Sequence, residues 1–181
     1  ILIALGLSFG FKANVWNIGA EGQYIMGAIF GASFALSLYP LESIIIFPVM
    51  ILVGILGGSL WSMIPALLKV KFNVNEILVS LMLVYVAEQT LALASLGFLR
   101  NPEGSGFPGS RNLSQYSSAS NSELIMGTGI HLGVLLSLLM VVFFYVLLFR
   151  HSLGFKIKLL GNSPRASGFS GDNSKKLVFL C

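Results

Sequence analysis

The feature that most constrains this chain is a series of long apolar runs with almost no charge inside them. Residues 77–98 are the clearest example: as a helix rising about 1.5 Å per residue they reach roughly 33 Å, enough to cross a hydrocarbon core of about 30 Å. Residues 130–149 are apolar for nearly their whole length, interrupted by the hydroxyl of Ser137. Two further runs lie upstream. Residues 24–39 are short for a crossing and stop at Pro40, so they read as half of a broken helix. Residues 44–68 contain Pro48 and Pro65, which a membrane helix tolerates when neighbours satisfy the freed carbonyls, and a kink is predicted near each. The chain opens on Ile1 inside an apolar run, 1–11, about half the length of a span. It stops at Cys181 just as Leu177-Val-Phe-Leu starts another. The expectation is an all-α fold, a polytopic transmembrane helical bundle truncated at both ends, in which residues 1–181 form part of a single membrane domain.

Composition agrees and excludes other classes. Only 10% of the residues are charged, against roughly 25% in an average soluble domain, and 14 phenylalanines are incompatible with a disordered chain. Cys181, the lone cysteine, excludes a disulfide scaffold. The net charge of +4 raises nucleic acid as a partner, but the positions of the basic residues argue against it. Lys12, Lys69, Lys71, Arg150, Lys156, Lys158, Arg165, Lys175 and Lys176 fall on one side of the alternating spans, leaving Arg100 and Arg111 on the other. The excess of positive charge places the first group in the cytoplasm. Residues 150–176 are then a cytoplasmic loop and residues 100–128 an outside loop rich in Gly, Pro and Ser. That outside loop reads either as a partner-facing element or as a solvated linker.

Several polar groups stand in apolar surroundings. Glu88 lies mid-span, where a carboxylate costs at least about 2.5 to 3.5 kcal/mol on insertion scales. Helical spacing groups it with Ser80, Val84, Leu91 and Ser95, so it is expected to look into the bundle. There it either contacts a polar solute or, protonated, donates to a neighbouring carbonyl. Asn14 to Gln23 place three amides, Asn14, Asn17 and Gln23, and the acid Glu21 among glycines that permit an irregular backbone; a broken helix lining a pathway and a cytoplasmic turn both fit. Gly27-Ala-Ile-Phe-Gly31 and Gly54-Ile-Leu-Gly-Gly58 have the small-xxx-small spacing of close helix packing. No catalytic constellation is present. His131 and His151 are separated by a whole span and cannot share a metal, and no Walker-type phosphate loop occurs. In the last cytoplasmic segment Ser163 is placed to cap a short helix with Pro164 at its first position, closed by Gly168 or Gly171.

Three strings in order carry a resemblance: Asn17-Ile-Gly-Ala-Glu-Gly-Gln23; Phe72-Asn-Val-Asn-Glu76-Ile with Leu81-Met-Leu-Val-Tyr85; and Gly154-Phe-Lys-Ile-Lys-Leu-Leu-Gly161-Asn-Ser-Pro164-Arg-Ala166. Together they resemble the ABC-transporter permeases for nucleosides and simple sugars, a family that includes ribose and branched-chain amino-acid permeases. The likeness spans nearly the whole chain and looks most like the nucleoside branch. It implies a multi-pass permease subunit of the bacterial cytoplasmic (inner) membrane. The implied partners are cytoplasmic ABC ATPase subunits, a second permease subunit and an extracytoplasmic solute-binding lipoprotein. No cofactor is implied for this chain, since ATP would be bound by the ATPase subunits. By the same resemblance Asn17, Glu21 and Gln23 would lie near the solute pathway, and Gly161, Asn162, Pro164, Arg165, Ala166 and Gly171 would belong to the loop that docks on the ATPase.

The chain departs from its relatives at two places. Arg165-Ala166-Ser167 stands where relatives commonly carry Glu-Ala-Ala, and Val84 where they often carry asparagine. Glu88, one turn later, is the candidate replacement for that amide in the pathway. The competing expectations are a non-transport membrane scaffold or assembly subunit, and an importer of branched-chain amino acids.

Overall fold

A computed structural model describes residues 1–101, 109–113, 116–121, 123–125, 127–169 and 174–180, and of 125 and 164–166 the backbone. The elements in order are α1 (Leu2–Lys12), α2 (Ala20–Ser37), α3 (Ile46–Phe72), α4 (Glu76–Leu96), β1 (Glu123–Ile125), β2 (Ile130–His131), α5 (Leu132–Phe149), α6 (Ser152–Asn162), α7 (Pro164–Phe169) and α8 (Ser174–Leu180). Among the described residues, α3, α4 and α5 are long and apolar enough to cross a membrane, and α1 is a shorter apolar helix. The chain forms two compact units, one of Ile1–Ala20, Pro65–Val79 and Glu123–Cys181, the other of Glu21–Ile64 and Ser80–Ser122.

In the second unit α2 and α3 meet backbone to backbone. A Cβ on Gly27 would stand 2.9 Å from the Gly54 carbonyl oxygen, one on Gly54 3.1 Å from that of Gly27, and one on Gly58 3.0 Å from that of Gln23. The two small-xxx-small strings therefore face each other within the chain, which removes the side chains that would hold the helices apart. Met26 and Ile29 of α2 pack with Ala87 and Ala94 of α4 and with Leu99, flanked by Trp61.

A second cluster joins Ala35, Ile46, Tyr116 and Ala119. The Tyr116 hydroxyl donates to the Leu41 carbonyl, its ring meets Tyr39 edge-on at 5.3 Å, and the Arg111 guanidinium lies 4.2 Å from the centre of the Tyr39 ring. The described part of the 100–128 loop is thus folded onto the α2–α3 connection rather than being a plain solvated linker.

In the first unit α1, α5 and α6 pack together, with Phe9 meeting Phe144 edge-on at 4.9 Å. On α5 Ser137 is buried, its hydroxyl donating to the Val134 carbonyl, while leucines, valines and phenylalanines are exposed along the helix. That inside-out pattern suits a lipid surround, where exposed apolar side chains carry no penalty. Lys12 ends α1 with its ammonium 4.1 Å from the Phe149 ring centre.

Several sequence expectations need correction. Helix α2 starts at Ala20, not residue 24, so Glu21 and Gln23 are helical and the irregular backbone ends at Gly19. Pro48 is the third residue of α3, where its missing N–H has no intrahelical partner to lose and requires no kink. Pro65 does lie inside α3, and the helix continues through it to Phe72. Ile130 and His131 are not helical: they pair with β1, across a turn in which Gly127 and Gly129 have φ of 79° and 67°. The loop at 150–176 contains a full helix, α6, ahead of the short α7.

Candidate functional site

The three strings that carry the resemblance resolve into specific pieces of backbone chemistry. Ahead of the first, α1 ends on Asn14 in the left-handed region, φ 57°. The Val15 N–H donates to the Gly10 carbonyl at 2.8 Å and the Asn14 N–H to that of Phe11 at 3.2 Å, the two bonds that close a Schellman C-cap. Asparagine tolerates that backbone region better than other side-chain-bearing residues. Its side-chain oxygen also accepts from the Trp16 indole at 3.0 Å, and the Asn17 side chain accepts from the Gly19 N–H at 2.9 Å just before α2 begins. Residues 14–19 are thus a stop and restart written in side chains.

The second string repeats the device. Asn73, φ 53°, follows the last residue of α3 and its N–H donates to the Lys69 carbonyl at 3.0 Å. Two residues on, the Asn75 side chain accepts from the Ile77 N–H at 3.0 Å and so caps α4. Glu76 then opens α4, a position where a carboxylate is favoured by the helix dipole. Its Oε1 pairs with the Lys69 ammonium, and the Trp16 N–H points at the same oxygen from 3.5 Å.

The third string builds α6 and its exit. A Cβ on Gly154 would overlap the carbonyl oxygens of Leu148 and Leu147, so only glycine lets α6 turn back under the end of α5. Ile157 and Leu160 are buried with Ala13 and Leu177. A Cβ on Gly161 would overlap the Lys12 carbonyl oxygen and come within 3.2 Å of the Ala13 carbonyl carbon. Ser163 is extended, φ −158°, as a residue preceding proline should be, and Pro164 opens α7. Ser163 also receives the Ser167 N–H on its carbonyl at 3.1 Å.

The candidate site residues therefore divide. Asn17 and Gly161 lie in the first unit, and both serve the end of α1 or the start of α2. Asn162 is exposed at the end of α6; Pro164, Arg165 and Ala166 form the backbone of the first part of α7; Gly171 lies outside the described residues. Glu21, Gln23 and Glu88 lie in the second unit. Between Glu21 and Gln23, Gly22 is buried against α4: its Cβ would stand 3.1 Å from the Val84 Cα and 3.4 Å from the Trp61 indole nitrogen.

That indole nitrogen is buried and has no hydrogen-bond partner among the described residues. Sequence reasoning passed over Trp61, whose signal was an indole donor placed four residues ahead of Pro65. The buried face of α4 is Ser80, Val84, Ala87 and Ala94, and Glu88 is exposed. Glu88 thus does not look into this unit and does not occupy the environment of Val84, because that position is filled by the approach of Gly22.

Comparison with known proteins follows this geometry. The family model described as branched-chain amino acid transport system / permease component matches residues 1–181. Among curated proteins, the chain is 31% identical to the glucose ABC transporter permease protein of Haloferax volcanii, over 99% of this chain and 49% of that protein. It is 25% identical to the nucleoside ABC transporter permease protein of Lactococcus lactis, over 99% of this chain and 51% of the relative. It is 26% identical to the guanosine ABC transporter permease protein of Bacillus subtilis, over 98% of this chain and 51% of the relative. The chain spans about half the length of the curated relatives it matches. No solved structure matches it. The three span-length helices among the described residues agree with the permease match in making it a multi-pass protein of the cytoplasmic membrane. With a family match over its whole length, the chain belongs to the permease family described as branched-chain amino acid transport system / permease component, whose members are transporter subunits rather than enzymes.

Proposed function

We propose that the chain is part of the permease subunit of an ATP-driven importer for nucleosides or simple sugars. The observation that carries this reading is that relatives matched over 98% or more of the chain are permeases for glucose, nucleosides and guanosine. The partners are cytoplasmic ATPase subunits, which bind the ATP, a second permease subunit and an extracytoplasmic solute-binding protein. The chain itself needs no cofactor.

On this reading α6 and α7, with Gly161, Asn162, Pro164, Arg165, Ala166 and Gly171, form the surface that docks on the ATPase. Support comes from the cytoplasmic assignment of Lys12, Lys69, Lys71 and Arg150 by their charge and from the exposure of Asn162. Asn17, Glu21, Gln23 and Glu88 contribute to the solute pathway. Support there comes from the exposure of Glu21 and Glu88, since a carboxylate on a span faces water or another protein surface rather than lipid.

The test is reconstitution of the full-length protein with its ATPase and binding-protein partners in proteoliposomes. ATP hydrolysis stimulated by guanosine or glucose, with uptake of the same solute, is the expected result. The family description favours a second reading in which the solute is a branched-chain amino acid, and stimulation by leucine in place of the other two would select it. Hydrolysis indifferent to every one of these solutes would refute the importer reading in favour of a scaffold.

A further inference from the structure

The three strings, far apart in sequence, converge on one short connection. Lys12 and Ala13 end α1 against Gly161 of α6, and Ala13 is buried with Ile157 and Leu160. Three residues on, the Trp16 N–H faces Glu76, which also holds Lys69 at the end of α3. Helix α2 starts at Ala20, directly after this connection, and α4 starts at Glu76, which meets the connection through the Trp16 N–H at 3.5 Å. All of these contacts lie within the first unit.

We infer that residues 12–19 are the junction through which movement of α6 and α7 reaches the cytoplasmic ends of α2 and α4, with Gly161 and Glu76 as its two positioning residues. The inference rests on the importer reading above. Gly161 transmits because there is no slack: a carbonyl oxygen sits where its Cβ would be, and close-packed backbone passes a displacement on rather than absorbing it. Glu76 transmits because one carboxylate oxygen serves two segments, the ammonium of Lys69 and the backbone of Trp16. Neither residue needs to touch solute or nucleotide. Their function is to keep the docking helices and the starts of two long helices moving as one body.

The experiment measures solute moved per ATP hydrolysed by the complete importer in proteoliposomes, with labelled guanosine and glucose as probes. Gly161→Ala separates α6 from the end of α1, and Glu76→Ala releases both Lys69 and Trp16. Each is expected to lower the ratio about tenfold, within the range found for coupling between distant sites, while ATP hydrolysis persists. Glu76→Gln keeps an acceptor oxygen for both donors and is expected to restore the ratio to near wild type. Gly133→Ala, at a glycine with nothing within 4 Å, serves as the neutral comparison.

A purely structural role would reduce the amount of complex and leave the ratio unmoved, and an unmoved ratio in Gly161→Ala and Glu76→Ala overturns the inference. If Glu76→Ala leaves no complex to measure, Lys69→Met, which keeps the stem of the side chain, replaces it and the same ratio decides. A wild-type complex that shows no solute-stimulated hydrolysis refutes the importer reading instead, before any variant is compared.

Discussion

Replacing Gly27 by alanine tests the backbone-to-backbone crossing of α2 and α3. The new methyl would stand 2.9 Å from the Gly54 carbonyl oxygen, about 0.5 Å inside the 3.4 Å at which ordinary contact begins. The obstructing atom belongs to a helix backbone and cannot rotate aside, so the two helices must separate. Overpacking of this kind costs about 1–3 kcal/mol, and alanine returns about 0.5–1 kcal/mol through its better helix propensity. The expected net loss is about 1–2 kcal/mol, or a fall in Tm of about 2–8 °C for a chain of this size.

Thermal unfolding of the full-length protein in detergent measures it. Gly6→Ala and Gly133→Ala, at helical glycines with nothing within 4 Å, serve as references and are expected to hold or raise Tm. A Gly27→Ala variant as stable as Gly6→Ala would refute the reasoning, because the steric contact would then be absent.

Three further outcomes follow from other parts of the structure. Asn14→Ala keeps a Cβ in the left-handed region but removes the amide that eases that backbone and accepts from the Trp16 indole, and should lose about 1 kcal/mol, whereas Asn14→Gly, free of the Cβ, should lose less; denaturation of the two variants side by side checks this. Gly154→Ala collides with two carbonyl oxygens and should be more damaging than Gly27→Ala, read as loss of folded protein from the membrane fraction. Glu88→Leu removes an insertion penalty of about 2.5 to 3.5 kcal/mol, so its yield should not fall. If Glu88 contributes to the pathway, uptake of the transported solute drops nonetheless, and uptake equal to wild type would dismiss that role.

The long helices were legible because apolar length and charge-free stretches are what a bilayer requires, and α3, α4 and α5 follow closely from that rule. The caps were only partly legible. Pro40 marked the end of α2, but the capping roles of the asparagines at positions 14, 73 and 75 emerged only from their backbone angles and bonds. Helix α6 was hidden by its lysines, which drew the segment toward a loop, although Gly154, Ile157 and Leu160 already repeat every three residues on one face.

Glu88 is exposed on α4 rather than packed within its unit; Ser80 of the face grouped with it is buried, but the small side chains of Ala87 and Ala94 were the better sign of where helices meet. Gly22 was read as a break in the helix; its actual reason is the closeness of Val84 across a packed interface. In the outside loop the aromatic ring of Tyr116 within a run of serines was the signal that part of it is anchored.

The contact between Lys12 and Gly161 also bears on how the protein is made. A ribosome delivers α1 early and α6 late, so the end of α1 waits for its partner while α2 to α5 are synthesised and inserted. During that interval the Schellman cap at Asn14, built from neighbours in sequence, is complete without α6 and holds the helix end in shape. Closure of the junction is therefore a late step in biogenesis, and Ala13 stays uncovered until Ile157 and Leu160 of α6 arrive.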